Sequence, residues 1–167
     1  MKQIDEWTNK KIGQVIFDSD VDDWNQNSSM FDTKILNKQN LIFLIEDTNG
    51  NKFGGFVNIK IEKTTTWLTD TGMFVFSMKI NGKNEMKKYM KTKNDNYGFY
   101  LVIKGHYELF EFGDGYTIQI HKKSCNNSNG SYVNKTSSYE NLSSVNLFGN
   151  SGTTNFTPKR ILVIQMN

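Results

Sequence analysis

A mainly β domain, two antiparallel sheets packed as a sandwich with a few short helices, is what the sequence predicts, and three observations predict it. The 167 residues include 12 Phe, 7 Tyr and 3 Trp but no alanine, so Phe, Tyr, Ile and Thr fill the apolar runs and favour strand over helix. Apolar residues recur with period two or in short unbroken runs, and Gly, Asn and Asp separate those runs. No stretch follows a strand with a long amphipathic helix in repeated order, which argues against a doubly wound α/β fold, and no internal repeat is visible.

The elements follow in order. "GQVIFDS" (13–19) carries Val15, Ile16 and Phe17 into a run of aspartates and reads as a first strand, with residues 1–12 as a short N-terminal extension to a single domain over 13–167. In "NSSMFDTKILNK", Ser28 or Ser29 can cap a short helix, because Met30, Phe31, Ile35 and Leu36 fall near helical spacing. "LIFLIED" (41–47) reads as a strand buried on both faces. "TNGN" (48–51) then holds the Asn-Gly pair that favours a tight hairpin, and "KFGGFVNIKIEK" (52–63) is its return strand. "MFVFSMKI" (73–80) alternates and meets a second Asn-Gly at Asn81 and Gly82. "EMKKYMKTK" (85–93) reads as one or two helical turns. "YGFYLVIKG" (97–105), "YELFEFG" (107–113) and "YTIQIHKK" (116–123) are three more strands, and Ser124 to Lys135 reads as a polar loop. "FTPKRILVIQMN" closes the chain with an apolar strand, its Pro158 at the start, where a missing N–H is tolerated. Seven or eight strands result.

Length and charge bound the function. A chain this long forms one core that buries roughly 70% of the unfolded surface. The lone Cys125 cannot form a disulfide within the chain, and "MKQIDEWTNKK" is too polar for a signal peptide, so a cytoplasmic location is expected, with the nucleus also open. No apolar run is long enough to span a bilayer, and no membrane insertion is expected. The net charge of +3 is spread along the chain. Its densest basic cluster, Lys87, Lys88, Lys91 and Lys93, is sparser than a face that neutralises six to ten phosphates and holds no arginine. A solvated surface is the plainer reading of these lysines. Contact with nucleic acid is the other.

The order of motifs resembles the TLDc family, the domain of the oxidation-resistance proteins. "VIFDSDVDDW", a helix and buried strand, "NKFGGFVNIKI", "MFVFSMKI", "LFEFGDGYTIQIHKK", a polar loop with "SSYEN" and a terminal "KRILVIQM" carry the resemblance over roughly Gly13 to Asn167. The most specific pieces are Phe53-Gly54-Gly55-Phe56, the alternation Phe74-Val75-Phe76, and Phe112-Gly113-Asp114-Gly115, which matches the family's glycine-rich turn. The chain departs from the family pattern at Asp22-Asp23, where Asp-Gly is usual, and at Gln165-Met166, where an acidic residue and a Trp are usual. The resemblance implies a two-sheet sandwich with helices at its edges and a role in protection against oxidative damage. For some members it implies contact with the vacuolar proton-pumping ATPase, and it implies no established active site.

The residues also have readings of their own. Asp18, Asp20 and Asp22 have EF-hand-like spacing, yet the sixth position holds Asp23 instead of Gly and the twelfth holds Ser29 instead of Glu. A turn with Asx bonds and a helix cap is the alternative to a weak divalent-cation site. Cys125 could be activated by Lys122, Lys123 and His121 as a redox thiol, but no second cysteine is present to resolve an oxidised sulfur. Gly54 and Gly55 lack the residues of a phosphate-binding loop, so a bulge or a close sheet contact explains them better. Glu140 in "SSYEN" shows no partner carboxylate for acid/base work. The expectation is therefore a non-catalytic protein-interaction domain of the oxidative-stress response, with no cofactor and no small-molecule substrate identified, whose partner could be the vacuolar ATPase. A nucleic-acid-binding regulator using Lys87 to Lys93 and a peroxide scavenger using Cys125 are the alternatives.

Overall fold

The computed structural model describes residues 2–125, 130–134, 137–143, 147–149 and 155–167. Its strands form two antiparallel sheets of six. The first holds, in spatial order, β1 (Ile12–Asp18), β12 (Pro158–Met166), β2 (Leu41–Asp47), β3 (Lys52–Val57), β5 (Phe74–Ile80) and β6 (Lys83–Met90). The second holds β11 (Asn155–Phe156), β10 (Ser131–Tyr132), β9 (Ile118–His121), β8 (Glu108–Phe112), β7 (Phe99–Leu101) and β4 (Trp67–Leu68). Two helices, α1 (Lys2–Thr8) and α2 (Phe31–Ile35), complete the described elements.

The strand number exceeds the seven or eight read from the sequence because β4, β10 and β11 are two-residue strands, too short to leave a periodic signal, and because β6 covers a segment read as helix. Residues 124–135 were read as one polar loop, but Ser131 and Tyr132 pair with Phe156 and Asn155 as β10; positions 126–129 and 135 lie outside the described residues. "EMKKYMKTK" is a strand and not a helix. Asn81 and Gly82 both hold positive φ (50° and 81°), the geometry of a two-residue hairpin turn, so the chain folds straight back and β6 pairs with β5 from Ile80↔Lys83 onward. Because β6 is the edge of the sheet, lysines suit it: charge there discourages pairing with another chain. The other Asn-Gly behaves differently. Only Gly50 has positive φ, so the hairpin closes through a loop at Thr48 to Gly50 in which Asp47 accepts the N–H groups of Asn49, Gly50 and Asn51, while the Thr48 N–H donates to the Thr157 carbonyl. β3 also ends earlier than its alternation suggested. Beyond Val57, the buried Ile61 exchanges backbone hydrogen bonds with Asn37 and Lys38, docking this segment on the exit from α2.

Ser29 does not occupy the N-cap position of α2, which falls on Met30, although its hydroxyl accepts the Phe31 N–H at 3.2 Å. α2 drops Phe31 between the sheets. There the Phe43 ring lies 4.8 Å from Phe99, 5.0 Å from Phe110 and 5.5 Å from Phe112, joining β2 of the first sheet to β7 and β8 of the second. The opposite face of the first sheet is also buried. Ile42, Phe56, Phe74, Phe76, Ile164 and Met166 pack under Ile4 of α1, with Trp7 5.9 Å from Phe76, so the unbroken apolar run of β2 has apolar contacts on both sides. The first twelve residues, read as an extension, thus supply α1 and the first residue of β1.

Gly54 and Gly55 mark a close approach. A Cβ on Gly55 would lie 2.5 Å from two carbons of the Phe112 ring, and one on Gly54 would lie 1.8 Å from the Phe43 carbonyl oxygen. Only bare backbone lets β3 sit this near the second sheet. Gly55→Ala is therefore expected to destabilise the fold by about 1–3 kcal/mol, a fall in Tm of roughly 2–12 °C at this chain length. Gly82→Asn, at an open turn with nothing within 4 Å, serves as the control and should leave Tm within about 2 °C.

Candidate functional site

The sequence-selected residues fall in separate places. Asp18 accepts a bidentate pair of bonds from Arg160, at 2.6 and 3.1 Å, and Asp20 lies 3.0 Å from the same guanidinium. Asp22 takes the Lys34 ammonium at 2.6 Å and the Asp18 N–H at 2.9 Å. These three carboxylates turn the chain and meet its own cations, and the Arg160 and Lys34 bonds hold Asp18 and Asp22 below the usual carboxylate range against the opposing effect of burial. The four lysines do not share a face. Lys87 pairs with Glu85, Lys88 lies 5.3 Å over the Phe74 ring, Lys93 is exposed, and Lys91 is 3% exposed with its ammonium on the Thr92 and Asp95 carbonyls. Cys125 is half-buried and lines a cavity of about 530 Å³ with His121, Lys122 and Lys159. The Lys122 ammonium is committed elsewhere, to the Ile103 carbonyl at 2.9 Å. Phe53 and Phe112 lie in the inter-sheet core and Phe56 under α1, while Gly113 and Gly115, at φ +70° and +64°, carry the chain from β8 to β9.

That turn leads to a site the sequence reading missed. On the outer face of the second sheet, the cross-strand pairs Trp67↔Tyr100, Tyr100↔Glu111, Glu111↔Gln119, Gln119↔Tyr132 and Tyr132↔Asn155 form one row across all six strands. Glu108 joins the same face through a fault in the ladder. Strict alternation would place Glu108 opposite to Glu111, but the register slips between Glu108 and Phe110, Leu109 and Phe110 both turn into the core, and Glu108 comes out opposite His121. A bulge has re-aimed a side chain. Two glutamates in an apolar strand, and a glutamine in the next, were the visible signals; the slip that unites them leaves none.

Although they face outward, Glu108 is only 8% exposed, Glu111 7% and His121 4%, because aromatic rings close around them. Ring contacts run from His106 to Tyr107 (4.4 Å), Tyr107 to His121 (5.1 Å), His121 to Tyr132 (5.6 Å) and Tyr132 to Tyr116 (6.3 Å). Trp67 and Tyr100, 5.0 Å apart, stand on the other side. Trp67, Tyr100, Tyr107 and Tyr116 with the two glutamates line a cavity of about 430 Å³.

Gln119 organises the floor. Its amide nitrogen donates to Glu108 at 2.5 Å and to Glu111 at 3.2 Å, so its oxygen must accept, and the partner at 3.0 Å is Nε2 of His121. His121 is then a neutral imidazole with its proton on Nε2. Burial, helped by His106, favours that uncharged form, and Nδ1 is left buried without a partner. Burial and the adjacent Glu108 charge push Glu111 up to about 7, so near neutral pH Glu111 is about half protonated. The tyrosines register the same field: burial first, then the glutamates, raises Tyr100, Tyr107 and Tyr116 above the ordinary phenol value.

A raised Glu111 makes stability fall with pH. The folded state holds the Glu111 proton up to about 7 while the unfolded chain releases it near 4.5, so this group's contribution is greatest below 4.5, declines between 4.5 and 7, and is constant above. Glu111→Gln removes that loss. Relative to the parent, the variant's Tm should rise between pH 5 and pH 8 in thermal melts, and a difference independent of pH would contradict the burial of this charge.

Among the described residues no group of three or more His, Cys, Asp or Glu is placed to hold a metal ion, and no helix is long and apolar enough to cross a membrane. No curated protein matches the chain. The family model of the TLDc domain matches residues 2–161, nearly the whole length, and the two-sheet sandwich is the architecture that the sequence resemblance implied. The chain belongs to the TLDc domain family.

Proposed function

We propose that this TLDc domain is a non-catalytic protein-interaction module of the oxidative-stress response, and that subunits of the vacuolar proton-pumping ATPase are among its partners. The aromatic-walled cleft on the second sheet carries this reading. Tyr and Trp side chains that combine an apolar body with a polar tip dominate the energetics of protein interfaces, and here Trp67, Tyr100, Tyr107 and Tyr116 gather around one concavity. Tyr116 is 45% exposed, so the wall is open to a partner. Family membership supplies the link to oxidative stress and, for some members, to the proton pump. The nucleic-acid alternative finds less support: Lys91 is internal and Lys87 is neutralised, which leaves no continuous basic face in that segment.

An affinity pull-down from lysate of the source organism, with nuclease treatment, tests the proposal. The parent domain should retain proton-pump subunits after nuclease. Tyr116→Asn removes the exposed ring and keeps a residue that tolerates φ +66°, so it should reduce recovery several-fold without changing Tm. Recovery that vanishes with nuclease would instead favour the nucleic-acid reading.

A further inference from the structure

We propose that the cleft of Glu108 and Glu111 is a receptor for a single basic side chain, lysine or arginine, presented by a partner protein. The inference rests on the interaction-module reading and names the chemistry that the cleft would recognise.

The first ground is an imbalance of charge. The other shielded carboxylates meet cations or backbone N–H groups of their own chain: Asp18 meets Arg160, Asp22 meets Lys34, Glu46 meets Lys52 and Lys159, and Asp47 meets turn amides. Glu111 is more than nine-tenths buried and, among the described residues, has no cationic partner. Its companion Glu108 has the exposed His106 at 3.3 Å and, at longer range, the charge of Lys122, whose ammonium is bonded to the Ile103 carbonyl. Two carboxylates desolvated on one floor are unfavourable unless a proton or a cation joins them.

The second ground is the shape and composition of the space above that floor. The rim residues His106, Asp114, Gly115 and Tyr116 are exposed while the glutamates are buried, so the cavity leads from solvent to the carboxylates. Its aromatic walls offer negative ring faces to a cation, and an ammonium or guanidinium held between such faces and a carboxylate gains from both. Asp114 adds a third acidic group at the mouth. About 430 Å³ accommodates either a lysine or an arginine side chain, and an apolar stem suits the ring walls while the charged head reaches the floor.

Binding and proton release are then linked. Below about 7 Glu111 of the empty cleft holds a proton; a cation replaces it, Glu111 becomes a carboxylate, and the proton leaves to solvent. Affinity must rise with pH through the range in which Glu111 would otherwise keep its proton. The other titratable groups acting on the pair are His106 and Tyr107 before β8, Asp114 and Tyr116 after it, Tyr100 on β7, His121 on β9 and Lys122 just beyond it. Of these, an imidazolium at His106 would also oppose a cation, so the pH response is to be measured with His106→Asn as well as with the parent.

The experiment uses the full chain and three probes, the Nα-acetyl methylamides of lysine, arginine and norleucine, followed by NMR at the Gly115 amide and the Gln119 side-chain amide. Saturable shifts at millimolar concentration are expected from lysine, arginine or both at pH 8, and whichever binds identifies the side chain. At pH 6 binding should weaken about tenfold, as expected for competition with a proton held to about 7, and the weakening should persist in His106→Asn. Glu108→Gln combined with Glu111→Gln should abolish the response. An equal response to norleucine, no saturable response to either cationic probe, or an affinity that does not rise with pH in parent and His106→Asn would overturn the proposal; these three readouts need no variant of the glutamates. If the domain still captures its partner from lysate while ignoring the cationic probes, the module reading stands and this inference falls.

Discussion

The contact of the Phe112 ring with the bare backbone at Gly55 is the constraint on which the remainder depends. It sets the spacing of the two sheets at one point, and the cluster of Phe43, Phe99 and Phe110 around it fills the adjoining core. Because strand side chains alternate, holding Phe110 and Phe112 inward obliges Glu111 to point outward. The slip between Glu108 and Phe110 then brings the second glutamate to the same face. The acidic cleft is thus a consequence of core packing on the reverse of the same strand.

The first sheet provides the rigid backing. Its order places the C-terminal strand β12 between β1 and β2, so the sheet is incomplete until the last residues of the chain arrive. Arg160, the sole arginine, fixes that arrival by bonding Asp18 at the end of β1, 142 residues earlier in sequence. Pairings this distant are slow to form, because loop closure is unfavourable before the contacts compensate it. α1 seals the outer face of this sheet and the lysines of β6 occupy its edge, so the described surface of the first sheet is largely committed to stability. The second sheet, with its outer face open to solvent at the aromatic rim, is the one that presents chemistry.

The sequence was informative where local rules govern. The Asn-Gly pair at Asn49 and Gly50 marked the hairpin of β2 and β3, period-two runs marked the long strands, and the ordered motifs from Phe53-Gly54-Gly55-Phe56 to Phe112-Gly113-Asp114-Gly115 marked the family. It was silent where tertiary pairing decides. β4, β10 and β11 exist only through their partners, and "EMKKYMKTK" became a strand because the turn before it delivered it to a free edge. The site was the least legible part. Its residues come from five strands and their connections, and the slip that unites Glu108 with Glu111 contradicts the alternation by which a strand is read.

What these features share is the buried Glu111, beside a second buried carboxyl group and without a cationic partner among the described residues. Carboxyl-selective NMR titration of the glutamates, assigned by Glu108→Gln and Glu111→Gln, examines it most directly. The account predicts that Glu111 titrates near 7. A Glu111 that titrates near the ordinary 4.5 would mean a solvated carboxylate and would remove the acidic cleft as a functional element.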